Sequence, residues 1–268
     1  MKIMFLIFLI SCFTIAQEDQ VIKMGYRTTE KLPYIGEEPD DSGYFQDLYS
    51  EVARRIGCKL EIVRLPKKRV LESLKDGDID FYPGFSFSDE RAEYSYWIST
   101  GRKQRDIAIS LEDLHDLKEE KDLLGLIQLV ALGNPDYLSE FDRTRFIQNV
   151  VPEMDLERAV LLLNLKRADF YIYEEDAVKY FIKIKNIKNL KLHTELIAKF
   201  DFESAGFSRR SKIFEAVPNL FYDSSKPLSR LNLPENPKVG SIVYRFEKEI
   251  NKMILEGEVT RIYKKYFE

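Results

Sequence analysis

Polar and apolar residues alternate loosely over 21–26 and end at Gly25-Tyr26, the pattern of a strand with one buried face. Phe45, Leu48, Val52, Ala53 and Ile56 then recur three or four residues apart, which predicts an amphipathic helix over 44–56, stopped by Gly57. Between them, residues 27–43 form a polar loop bearing Pro and Gly, with Tyr34 its most prominent aromatic residue. A second strand is expected over 59–65. Pro66 fits the first turn of a second helix, whose Val70, Leu71 and Leu74 face inward. A third strand follows over 79–82. Strand–helix–strand–helix–strand is the order of an α/β layer built on a parallel sheet.

The second half repeats the theme. A charged stretch, 102–105, leads into the alternating 107–110, read as a strand crossing between two units. A strand over 124–132, the turn Gly133-Asn134-Pro135-Asp136 and a helix around 137–141 come next. A helix over 155–166, with Leu156, Ala159, Val160 and Leu163 on one face, precedes a strand at 169–173 and a further helix opening at Glu174-Glu175-Asp176. Gly-Asp-Ile-Asp-Phe-Tyr-Pro at 77–83 and Arg-Ala-Asp-Phe-Tyr-Ile-Tyr at 167–173 each follow a Leu-rich helix, so the chain reads as two similar lobes. Residues 202–208 alternate and return the chain to the first lobe. Residues 212–241, with Pro218, Pro227, Pro234, Pro237 and Gly240, read as a loop-rich excursion with at most one short helix. Helices over 242–255 and 258–266 close the chain.

Within this frame, residues 77–91 carry the most chemistry. Ser86 and Ser88 alternate with Phe85 and Phe87, so both hydroxyls can face one way in an extended loop. Ser88 suits a helix N-cap, with Asp89 and Glu90 in the first turn and Arg91 after them. A guanidinium beside hydroxyls and exposed backbone N–H groups can clamp a carboxylate through two parallel hydrogen bonds. The competing reading is a surface loop with a solvated arginine. Ligands of open parallel sheets bind beyond the carboxyl ends of the strands, where both this loop and the 27–43 loop emerge, and that placement favours the functional reading. Acidic residues at 174–176 are explained by the helix dipole alone, or by one carboxylate pointing into the cleft.

Composition narrows the classes. The 268 residues are 44% hydrophobic and 32% charged, with a net charge of −4, which argues against a nucleic-acid partner. Lys2, the apolar run 3–15 and Ala16 before Gln17-Glu18-Asp19 read as a secretory signal peptide, since a span needs about 20 apolar residues. Leu9-Ile10-Ser11-Cys12 also resembles a lipobox. The segment before Cys12 is short for one, and the soluble exported form, cleaved after Ala16, is the favoured reading. Cys58 then has no disulfide partner and is expected to be a buried, inert thiol. Neither His115 nor His193 joins a motif, and no cluster has zinc or EF-hand spacing, so no metal, cofactor or catalytic residue is expected.

These motifs in this order resemble the bacterial periplasmic solute-binding proteins of the polar amino-acid type, solute-binding protein family 3. Gly43-Tyr44-Phe45-Gln46-Asp47-Leu48, with Val52-Ala53 and Gly57, is similar to the family's first-helix signature. Leu74-Lys75-Asp76-Gly77-Asp78-Ile79-Asp80 followed by Ser88-Asp89-Glu90-Arg91 is similar to its most diagnostic segment, and residues 257–267 to its C-terminal helix. The resemblance implies a two-lobe periplasmic-binding-protein-like type II fold, each lobe a central mixed sheet flanked by helices. Lobe 1 would comprise 17–106 and 207–268, and lobe 2 would comprise 107–206. It further implies that Arg91 holds a ligand carboxylate with Ser86, Ser88 and the backbone of Gly84, that Glu174 (or Glu175) meets an amino group, and that the turn at Asn134 meets an anion. Two departures stand out. The position matching the family's stacking aromatic falls near Lys31, leaving Tyr34 as the candidate, and the loop after the second strand is basic, Pro66-Lys67-Lys68-Arg69.

The function expected is capture of a small polar, carboxylate-bearing solute in the periplasm by a monomer that delivers it to an ABC-type membrane permease. A ligand-sensing receptor component is the alternative within binding. From another class, the same fold hosts periplasmic dehydratases that use cleft carboxylates.

Overall fold

The computed structural model describes residues 20–268. The expected leader, 1–16 with Cys12, lies outside the described residues. Two five-stranded mixed sheets organise the chain. The first is built from β1 (Gln20–Arg27), β2 (Cys58–Leu65), β3 (Phe81–Tyr82), β4 (Ser95–Gln104) and a late strand; the second begins with β5 (Asp106–Leu111). β6 (Ile127–Ala131), β7 (Ile147–Val151), β8 (Phe170–Glu174) and β9 (Leu190–His193) complete the second sheet, and β10 (Asp201–Ser208) returns to the first. The orders are β2-β1-β3-β10-β4 and β7-β6-β8-β5-β9. In each, three parallel strands are followed by a fourth that runs against them and a fifth antiparallel to the fourth, so the two sheets share one plan.

Helices cover the sheets. α1 (Tyr44–Arg55), α2 (Lys67–Asp76) and the short α3 (Asp89–Ala92) belong to the first half, and α4 (Leu156–Asn164) and α5 (Glu175–Lys185) to the second. α6 (Ile242–Leu255) and α7 (Glu258–Phe267) pack back on α1, so the end of the chain completes the first lobe. Its core centres on Tyr49, Phe81, Phe207 and Phe246, with Phe81 and Phe207 stacked at 4.9 Å. A second cluster, including Leu123, Leu138, Phe146, Phe170 and Ile172, fills part of the other lobe. Residues 212–241 form a small ribbon, β11 (Ala216–Pro218) against β12 (Glu235–Pro237), with turns between rather than a helix.

Three sequence expectations need correction. The apolar spacing of Tyr137, Leu138 and Phe141 does not make a helix: the Asp136 carboxylate accepts from Leu138 N–H at 3.2 Å, and the backbone takes turns instead. The strand expected over 124–132 begins at Ile127, after a turn in which Gly125 has φ +75°. The third strand shrinks to Phe81–Tyr82, because the Asp80 carboxylate, rather than a ladder carbonyl, takes Lys23 N–H at 2.6 Å. The strands β4 and β7 carry no clear alternation and were not expected. Sheet membership places the crossings between the sheets at Arg105 and just before Asp201; we propose these as the lobe boundaries in place of 106/107 and 206/207.

Candidate ligand-binding site

The carboxyl ends of the parallel strands of both sheets face one another across a cleft. Arg27 ends β1, Lys67 opens α2 just beyond β2, and Gly84 to Ser86 follow β3. From the other side come Asn134 beyond β6 and Glu174 at the end of β8. The cavity left between them is small, about 50 Å³, and is also lined by Lys31, Phe45, Tyr82, Arg91, Asp106, Tyr137 and Tyr173.

The 84–91 loop shows why its residues point where they do. Phe85 lies parallel to Trp97 at 5.8 Å and Phe87 packs on the same ring at 4.9 Å, so the intervening Ser86 turns towards the cleft. Trp97 Nε1 donates to the Phe85 carbonyl at 2.9 Å, fixing the backbone. Gly206 of β10 leaves the space that the Phe85 ring fills: a Cβ there would sit 2.1 Å from Phe85 Cδ1. Ser88 spends its hydroxyl on capping α3, accepting from Arg91 N–H at 3.3 Å, and does not line the cavity.

Arg91 is 8% exposed. Its guanidinium lies 4.4 Å from the Phe85 ring centroid and donates to the carbonyls of Ser86 at 2.9 Å and, across the cleft, Gly133 at 3.1 Å. Among the described residues no carboxylate lies within 4.0 Å of it. Burial accordingly lowers its pKa.

Glu174 is both strand end and N-cap. Its carboxylate accepts from Asp176 N–H at 3.2 Å and Ala177 N–H at 3.1 Å, and from the Tyr34 hydroxyl at 2.9 Å. Burial pushes its pKa up to about 7, against the opposing pull of Lys31. Tyr34 is itself a core residue, packed against Phe45 at 4.9 Å and Phe267 at 5.0 Å, and only its hydroxyl reaches across. Of the sequence-nominated residues the cavity therefore gathers Gly84, Ser86, Arg91, Asn134 and Glu174, while Ser88 and Tyr34 stand behind it.

Several cleft residues carry no ligand-binding role in the sequence reading, although Lys31 and the run at Lys67 stand out there as departures. Arg27, 4% exposed, donates to Thr29 Oγ1 at 2.6 Å, to the Tyr173 hydroxyl at 3.3 Å and to the Met154 carbonyl. Lys67 Nζ donates to Asn134 Oδ1. Lys31 Nζ sits 4.7 Å from the Tyr34 ring centroid and 5.7 Å from that of Tyr173. Asp106 opens β5 opposite Glu174, and burial, with Lys31 opposing, raises its pKa to about 6. Arg27 was readable as the last residue of β1, and the basic 67–69 run was visible, but nothing local marked Asp106.

The chain belongs to the bacterial extracellular solute-binding proteins, family 3, whose model matches residues 22–268. Among solved structures, it is similar to one from work on glutathione import in Gram-positive bacteria through GshT and the cystine ABC importer TcyBC of Streptococcus mutans. That likeness has a TM-score of 0.72 at 16% identity, over 93% of this chain and 95% of the other. The amino acid ABC transporter substrate-binding protein AbpA of Streptococcus pneumoniae, bound to L-arginine, gives 0.67 at 16%, over 92% and 94%. The GluR0 ligand-binding core with L-glutamate gives 0.67 at 14%, over 94% and 100%. At these identities the likeness defines the fold, a two-lobe α/β binding protein of type II. Comparison with curated proteins finds no match. The function is thus binding of a solute.

Proposed function

We propose that this protein captures a small polar, carboxylate-bearing solute, an amino acid or a related acid, in the periplasm and delivers it to the membrane permease of an ABC-type transporter. The observation that carries the reading is Arg91: a guanidinium removed from water, aimed into the cleft, with neutral carbonyls as its hydrogen-bond acceptors. An unpaired buried charge is unfavourable by several kcal/mol, and an entering carboxylate compensates it. Two carbonyl bonds leave three of its five N–H donors for a ligand, beside the Ser86 hydroxyl and the backbone at Gly84. Arg27 and Arg91 bond across the cleft from its lining and Tyr34 bonds across it from behind, so the two lobes close at and around the ligand's place. The export half of the reading rests on the leader-like residues 1–16.

A thermal-unfolding screen against amino acids, small carboxylates, amines and short peptides tests it. A ligand at 100 times its Kd adds about 2.7 kcal/mol of stability. Stabilisation by a carboxylate, lost in Arg91→Ala, is the expected result. Stabilisation that survives Arg91→Ala overturns the clamp.

A further inference from the structure

The cleft holds more positive charge than one carboxylate needs. Arg27, Lys31, Lys67 and Arg91 all line it, and among the described residues none of the four has a carboxylate within 4.0 Å, although elsewhere the protein pairs its cations freely. The four fall into two pairs. Arg91 and Lys67 reach the consecutive residues Gly133 and Asn134, while Arg27 and Lys31 meet at Tyr173. Facing them are two acidic side chains, Asp106 and Glu174. Glu174 is committed to capping α5 and to Tyr34, which leaves it poorly placed to serve a ligand's amino group.

Resting on the solute-capture reading, we propose that the ligand is a small dianion, one acidic group held between Arg91 and Lys67 and the second between Arg27 and Lys31, with no amino group required. Charge balance favours this. With all six groups ionised, four cations against two carboxylates leave an excess of two positive charges, which a ligand of one negative charge neutralises by half and a dianion fully. Low-dielectric walls focus the field of like charges in a cleft, and the repulsion is visible in Lys67: burial, then Arg27, Arg91 and Lys31, push its pKa well below the ordinary lysine value. The Lys31 ammonium makes no side-chain hydrogen bond among the described residues and rests against the Tyr34 ring, so its donors remain for the ligand.

Isothermal titration of the full-length exported protein with matched probes tests the proposal: glutarate (two carboxylates, no amine), glutamate (two carboxylates and an ammonium), glutamine (its near-isosteric amide, with one carboxylate and an ammonium) and glycerol phosphate (a dianion on a single phosphate group). Expected is binding of at least one of the two dicarboxylates about tenfold or more tighter than glutamine. Lys67→Gln, with an unchanged unfolding temperature, should erase that preference, and Lys67→Arg should restore it. Glycerol phosphate carries both charges on one group, so binding as tight as glutarate's would overturn the two-group arrangement. If glutamine or another amino acid with a single carboxylate binds as tightly as glutarate and glutamate and depends on Arg91, capture stands and the dianion assignment falls. A preference that persists in Lys67→Gln, with the fold intact, also overturns it. If no carboxylate or phosphate binds, both readings fall.

Discussion

The Tyr34 hydroxyl donates to Glu174 Oε1 at 2.9 Å, joining the first loop of one lobe to the last parallel strand of the other. Both groups are buried, and the carboxylate also caps α5, so one side chain ties the cleft to the start of a helix. Tyr34→Phe keeps the ring packed and removes only this bond. A buried acceptor deprived of a donor destabilises by about 1–3 kcal/mol, a fall of about 2–4 °C in Tm per kcal/mol for a protein of this size. An unchanged Tm would mean the hydroxyl contributes nothing to holding the lobes.

Gly206 and Phe85 set the floor under Arg91. Adding a methyl group at Gly206 forces the ring to move, since the new Cβ would lie 2.1 Å from Phe85 Cδ1. Overpacking of this kind typically destabilises by about 1–3 kcal/mol. Gly206→Ala should lower Tm and also weaken ligand binding, because the displaced ring carries the guanidinium 4.4 Å above it. Loss of stability with unaltered affinity would detach Phe85 from the site.

The pH dependence of binding follows from the two cleft carboxylates. Their folded pKa values, about 7 for Glu174 and about 6 for Asp106, lie above their ordinary values because of burial. The folded protein therefore holds more protons than the unfolded chain between about pH 4 and 7, and their contribution to stability declines as pH rises through 6 and 7. Ionisation also adds negative charge to a cleft meant for anions. Affinity for an acid that stays ionised above pH 5 should fall by about tenfold between pH 5.5 and 8, the equivalent of one unit of pKa coupling. Glu174→Gln should flatten the upper part of this profile. An affinity that rises with pH contradicts the assignment.

His193 gives the opposite slope. Its Nδ1 accepts from Leu117 N–H at 3.0 Å and its Nε2 meets Ser110 Oγ at 2.8 Å, an arrangement that needs the neutral ring. Burial, helped by Lys191, lowers its pKa to about 4. The unfolded chain then binds a proton that the folded one refuses, so stability is lost as pH falls from about 6.5 to 4. Comparing Tm at pH 7 and 5, His193→Gln should show a smaller acid-induced decline than the unaltered protein. An equal decline would place acid sensitivity elsewhere.

Where side-chain pattern and local turn chemistry agree, the sequence was enough. Gly84, Ser86 and Arg91 were legible because a short strand, a Gly turn and a capped helix start lie within one stretch. Glu174 was legible as the residue at a strand's carboxyl end. Arg27 reads as a loop residue, Lys31 stands out only as the position matching the family's stacking aromatic, and Lys67 cannot be separated from Lys68 and Arg69 without the phase of α2, which half-buries the first and exposes the other two. Asp106 enters the site only because β5 crosses into the second sheet beside β8. These four depend on how two lobes face each other, a relation no local periodicity encodes. Tyr34 failed in the other direction: its prominence reflects an aromatic core with Tyr44, Phe45 and Phe267, and Phe45 rather than Tyr34 lines the cavity.

The most direct measurement of the central claim is a crystal structure of the protein with the tightest solute from the screen. The expected result is one molecule between the lobes, an acidic group within hydrogen-bond distance of Arg91 and the Ser86 hydroxyl. A solute seated instead in the wider groove of about 680 Å³ beside Trp97, Phe202 and Leu231, with the cleft unoccupied, would contradict it.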